Sequence, residues 1–157
     1  MGDCSDFPEG AAPLPDEDTW EKFDAMDEYS SFAHNAVTPS GYVKIFEDFN
    51  STVVSMNYIG VWTLYAYEPQ LCADSCTEQP GCKAFNIYVS RDPSKDPGPN
   101  CPNPPSVSNF RCALYSSEIS VADATNDGQV QPPADANGDM FIIKHKGSNG
   151  MMLLILL

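Results

Sequence analysis

Six cysteines lie in a chain of 157 residues, and three of them fall within one short stretch, Cys72-x3-Cys76-x5-Cys82. No other feature restricts the possible folds so strongly. Residues 68–78 read as a helix. Pro69 sits in its first turn, where a missing N–H costs nothing. Leu71, Cys72, Ser75 and Cys76 share one stripe, so both thiols leave the same face. Pro80-Gly81 ends the helix and turns the chain back. Cys82 then heads a strand over 82–89, rich in residues that favour the extended state. Cys112 lies within a second strand over 110–115, with Phe110 and Leu114 on its face. This arrangement lets one helix be stapled to two neighbouring strands. The simplest pairing joins Cys76 to Cys82 and Cys72 to Cys112. The larger loop, closed across roughly 40 residues, contributes about 4 kcal/mol in the loop-entropy treatment. Cys4 and Cys101 are left over, to pair with each other or with a partner outside the chain. A zinc site would need a second cysteine or histidine clip, and none follows. Disulfides place the chain in an oxidising compartment.

The rest of the chain is a scaffold of strands. Residues 41–47 and 57–66 read as further strands, with Gly60 marking a bulge or a close approach. Residues 140–145 close the sheet. Between the two cysteine-bearing strands, residues 90–109 hold six prolines. Six missing donors disfavour regular structure, so this is a long Pro-rich loop. The fold class is therefore α+β, a small antiparallel sheet cradling one disulfide-stapled helix. If Cys82 and Ala84 face the helix, then Phe85, Ile87 and Val89 point to the opposite face. The Pro-rich loop would cover that face as a lid. Its charged tips, Arg91, Asp92, Lys95 and Asp96, are the candidate ligand contacts.

Charge divides the chain. Residues 1–30 hold ten acids against one lysine, a net −9 of the total −14. Trp20, Phe23, Met26 and Tyr29 recur there at a spacing of three, enough for a turn or two of amphipathic helix after Asp18-Thr19. Residues 1–35 are expected to form an acidic, largely disordered lead. The domain proper spans 36–150. Residues 151–157 are expected to be an apolar tail foreign to the domain, a gene-model or fragment artefact. The acidic balance argues against nucleic acid, whose binding needs Lys and Arg against phosphates. The longest apolar run is far shorter than a bilayer requires. The first residues lack the basic and apolar regions of a signal peptide.

Catalytic chemistry finds few candidates. His34 lies in a polar stretch and His145 at a strand end between lysines, where exposed histidines are common; neither sits in a recognisable triad pattern. Asp135-x-Asn137-x-Asp139 starts like a calcium loop, but Met140 and Lys146 stand where it needs Gly and Glu. No metal and no cofactor are expected. Asn50-Ser51-Thr52 is an N-glycosylation sequon in a turn.

The helical Cys72-x3-Cys76, followed by Gly81-Cys82-x-Ala84-Phe85-Asn86 and Cys112-x-Leu114, resembles the PAN/Apple module. The run from Phe85-Asn86-Ile87-Tyr88 through Asp96-Pro97-Gly98-Pro99 and Cys101-Pro102-Asn103-Pro104-Pro105 is similar to secreted proteins of filamentous ascomycete fungi. So are Val37-Thr38-Pro39-Ser40-Gly41-Tyr42 and Gly147-Ser148-Asn149-Gly150. The resemblance implies two disulfides tying helix to sheet. It also implies a secreted, non-catalytic module that binds a glycan or protein at the fungal surface or in the extracellular space. The competing expectations are a structural wall-associated protein without a discrete ligand and an accessory fragment of a larger secreted enzyme.

Overall fold

The computed structural model describes residues 2–157. Two short helices come first, α1 (Trp20–Asp24) and α2 (Asp27–Asn35). Strands β1 (Tyr42–Phe49), β2 (Thr52–Val53) and β3 (Tyr58–Leu64) follow, then the cysteine-bearing helix α3 (Pro69–Glu78). The long strands β4 (Ala84–Pro93) and β5 (Ser106–Tyr115) form a hairpin. Short β6 (Ala124–Asn126) and β7 (Gly128–Gln131) precede β8 (Phe141–Leu153). The main sheet is antiparallel, in the order β1-β8-β4-β5-β3. Strand β8 is long enough to pair with β7 over residues 141–144 and with β1 over residues 148–153. It therefore lies inside the sheet, between β1 and β4, and does not close it as the sequence suggested.

Each sheet face carries its own core. One face presents Phe85, Ile87 and Val89 of β4 with Phe110, Cys112 and Leu114 of β5, packed with Cys72, Ala73 and Cys76 of α3 and with Phe23 and Tyr29. The other presents Ala84, Tyr88, Ala113 and Tyr115, packed with Phe46, Val53, Ile119 and Met152. The expected orientation of β4 is thus reversed: Phe85, Ile87 and Val89 face the helix and Ala84 faces away. The reason is local. Cys82 precedes the strand, which begins at Ala84, so strand alternation does not carry from Cys82 into β4. Fully buried Asn86 joins several elements by accepting from Val53 N (2.8 Å) and donating to Ser148 Oγ (2.8 Å) and Asn149 O (3.0 Å). Asn149 continues the network, accepting from Asp48 N and donating to Ala33 O. Satisfied polar groups at this depth fix one arrangement of the strands they join.

Three disulfides staple the chain: Cys76–Cys82, Cys72–Cys112 and Cys4–Cys101, at sequence separations of 6, 40 and 97. The first two tie α3 to the start of β4 and to β5. The third involves the acidic lead, which is folded and not a disordered tether. Thr19 caps α1, its Oγ1 accepting from Lys22 N, and Phe23, Tyr29 and Ala33 are fully buried. Residues 2–12 run beside the hairpin and its connection: Cys4 N donates to Asp96 O, Asp96 N to Ser5 O, Phe7 N to Ser94 O and Ala12 N to Ser108 O. Charge counting overlooks such a segment. Its order comes from backbone pairing, a crosslink and a few apolar anchors, while its acids stay in water.

Two more boundaries shift. Met151 and Met152 are buried residues of β8, so the apolar end is core through residue 152, and only Leu154, Ile155 and Leu157 are exposed. The hairpin strands extend to Pro93 and from Ser106, which confines the irregular part of the Pro-rich stretch to residues 94–105.

Candidate functional site

A cleft of about 660 Å³ opens where α1, the far end of the hairpin and the loop before β8 meet. Arg91 forms its floor. The side chain is almost wholly buried; Nη1 donates to Ile142 O (2.7 Å) and Nη2 to Asp18 Oδ1 (3.0 Å). Its guanidinium stacks 4.5 Å from the Phe141 ring centre, a cation–π contact. Asp18 also accepts from Ser106 N (2.9 Å) and Ser106 Oγ. Burial pushes the Asp18 carboxyl up, but the hydrogen bonds from Ser106 and Arg91 outweigh it and hold the group below its ordinary value. Arg91 and Asp18 thus lock the lead onto the hairpin.

Above this floor stands Trp20, 40% exposed although its helical neighbour Phe23 is fully buried. Lys144 Nζ lies 5.3 Å from its ring centre, steadying the indole by a second cation–π contact. Glu21, Asn103, Asp139 and Met140 line the walls. The carboxylates of Glu21 and Asp139 have no hydrogen bond or ion pair among the described residues. Asn103 Nδ2 donates to Asp135 Oδ2 (3.1 Å), and Asp135 Oδ1 accepts the N–H groups of Asn137 and Asp139. The Asn103 bond, with those backbone donors, lowers the Asp135 pKa against a weaker opposing effect of burial. The calcium-like string is therefore a carboxylate-nucleated turn that shapes the cleft rim. Among the described residues no group of three His, Cys, Asp or Glu is placed to hold a metal.

The four expected contact residues do not converge. Arg91 is buried scaffold, not an exposed tip. Asp92 projects to the other face of the sheet, where Oδ2 receives Arg111 (3.1 Å) and Asn109 (2.8 Å) and Oδ1 receives Ser90 (2.8 Å). Lys95 pairs with Asp6 (2.5 Å), and Asp96 faces the start of the lead through Asp3 N (3.4 Å). Adjacent strand residues point to opposite faces, and Lys95 and Asp96 lie beyond the strand. Asp92 and Arg111 instead line a second cleft of about 480 Å³, with Phe7, Thr63, Gln131 and Ile143. Asn50 is exposed in the bend after β1, accessible as the sequon requires.

His145 corrects a further expectation. It is buried, lies edge-on to Tyr88 (5.1 Å) and leaves Nδ1 without a partner among the described residues. Burial lowers its pKa to about 4, so the ring is neutral at physiological pH. His34 is exposed between Glu47 (2.9 Å) and Asp48 (3.2 Å), and the Glu47 hydrogen bond raises its pKa.

Sequence reasoning missed the Trp20 cleft because it assigned Trp20 to a disordered segment. The stripe Trp20, Phe23, Met26 and Tyr29 signalled a short helix, but all four share one spacing and each has one acidic neighbour, so the sequence did not single out Trp20 as the exposed member. No helix among the described residues is long and apolar enough to cross a membrane. No family model, curated protein or solved structure matches the chain, so its functional reading rests on the geometry of these clefts and staples.

Proposed function

We propose that the chain is a non-catalytic extracellular binding module, PAN/Apple-like in organisation, whose ligand is a glycan held in the Trp20 cleft. The observation that carries this reading is a half-exposed indole standing beside two unpaired carboxylates over a rigid, ion-paired floor. A pyranose ring has an apolar C–H face and a rim of hydroxyl donors. Trp20 offers a flat apolar surface to the first, and Glu21, Asp139 and the Asn103 amide offer acceptors to the second. Three disulfides support an oxidising compartment. A single helix, α3, tied to the sheet by two disulfides supports the PAN/Apple-like reading. Asn50 is proposed to carry an N-linked glycan.

The test is an array of immobilised β-linked glucose, N-acetylglucosamine and glucosamine oligosaccharides, probed with the native protein and with Trp20→Ala. The expected result is retention on one class, weakened at least about tenfold by the substitution, since aromatic stacking contributes about 1 kcal/mol or more. Absence of retention on every oligosaccharide would overturn the glycan reading and favour a wall-associated structural role.

A further inference from the structure

The Trp20 cleft is acidic, and the chain holds nothing in reserve to neutralise it. Glu21 and Asp139 line the cleft, both exposed and both unpaired. Asp135 at its rim is held below the ordinary carboxyl range by the Asn103 hydrogen bond and two backbone donors, and so stays ionised. The charge of Asp18 is already cancelled by Arg91. Of the chain's 8 basic residues, Lys44, Arg91, Lys95, Arg111 and Lys146 sit in ion pairs. None of the other three lines the cleft. Lys144 touches the Trp20 indole, 5.3 Å from the ring centre, but not the cleft itself. A concave site walled by one sign of charge concentrates ligands of the opposite sign.

The sugar classes differ in what they can do with such walls. A uronic acid or sulfated sugar would set like charge against Glu21 and Asp139. A glucose hydroxyl offers each carboxylate one neutral donor. An N-acetyl group offers one N–H and brings a methyl and a carbonyl beside the charges, and a carboxylate covered without a charged partner is costly. A protonated amine offers three donors and a full charge, and charge-assisted hydrogen bonds are about twice as strong as neutral ones. An ammonium is also attracted to an indole face, as the Lys144 contact already illustrates.

We propose that the cleft selects a cationic amino sugar, a β-linked glucosamine oligosaccharide, with its protonated amines set against Glu21 and Asp139 and one pyranose face against Trp20. This selectivity rests on the glycan reading and names its sugar class.

Calorimetric titration with glucosamine, N-acetylglucosamine and glucose hexasaccharides, at about pH 5.5 where ordinary carboxylates stay ionised and the amines are protonated, tests it. The glucosamine hexasaccharide should bind at least about tenfold more tightly than the other two, and its affinity alone should fall steeply as salt rises. Glu21→Gln/Asp139→Asn removes both charges and keeps an acceptor oxygen at each position. It should cut the preference for the amine at least about fivefold. Both side chains are exposed, so circular dichroism should show an unchanged fold. Binding of none of the three sugars overturns the glycan reading and the selectivity with it. Equal or tighter binding of a neutral hexasaccharide, lost in Trp20→Ala, overturns the selectivity alone and leaves the glycan reading standing. A preference for the amine that survives the double variant also overturns the selectivity, since it would then arise from the chain's overall charge. Hexalysine bound as tightly as the glucosamine oligomer, with the same dependence on Trp20 and both carboxylates, would make the ligand a basic peptide and overturn both.

Discussion

Removing the Cys4–Cys101 crosslink measures whether the acidic lead belongs to the fold. The bond joins residues separated by 97 positions, and both cysteines are partly exposed. Replacing both by serine therefore leaves no large apolar cavity. In the loop-entropy treatment, a crosslink across a loop of that length restrains the unfolded chain by about 4.7 kcal/mol at 25 °C, compared with about 2 kcal/mol for the short Cys76–Cys82 loop. The larger figure applies only if residues 2–12 already hold one conformation in the native state. The backbone bonds from Cys4, Phe7 and Ala12 to the hairpin region place them in that state. A lead that remained loose would be restrained by the crosslink in both states, and the difference would nearly vanish. Guanidinium unfolding followed by far-UV circular dichroism, without reductant, should show Cys4→Ser/Cys101→Ser losing about 3–5 kcal/mol. A loss below about 1 kcal/mol, within the range of an ordinary surface change, would refute the reasoning.

Phe23→Ala deletes a fully buried ring of the lead. It should cost about 3–5 kcal/mol in the same unfolding assay, whereas a residue in a solvated linker would cost almost nothing. Burial depresses the His145 pKa to about 4 from an ordinary 6.5, with Asp92 and Asp127 opposing and Arg111 and Lys144 reinforcing the shift. The ring stays neutral in the native state while the unfolded chain takes up a proton, so the stabilisation is full above pH 6.5 and is lost as pH falls towards 4. The total is roughly 3 kcal/mol. Between pH 6.5 and 5, where ordinary carboxylates stay ionised, His145→Leu should flatten the dependence; a native protein with no slope there would contradict the neutral assignment.

Much of the framework was legible in the sequence. The Cys72, Cys76 and Cys82 spacing led to α3 and to the two staples that hold it, because helical periodicity and a Pro-Gly turn are local signals. The β-rich segments around Ile45, Trp62, Ile87 and Leu114 were readable for the same reason. Less legible was anything decided by partners distant in sequence. Strand alternation was applied across a turn at Cys82, which inverted the faces of β4. Phe23 and Tyr29 are buried by contacts with sheet residues far along the chain, and local charge density masks that. Arg91 looked like a solvated loop tip because Asp18 and Phe141, the groups that bury it, are remote in sequence. His145 looked exposed between two lysines, but strand alternation turns it away from both and towards Tyr88.

The Trp20 cleft is the central claim, and the two tryptophans supply their own control. Trp20 stands in the cleft, whereas Trp62 is packed against the helix-side core. Titrating 15N-labelled protein with the oligosaccharide class retained on the array should move the indole Nε1–H signal of Trp20 and the backbone amides of Glu21, Asn103 and Asp139. The Trp62 indole should stay in place. Saturable movement at Trp62 or along the Asp92–Arg111 cleft, with Trp20 unmoved, would contradict the account.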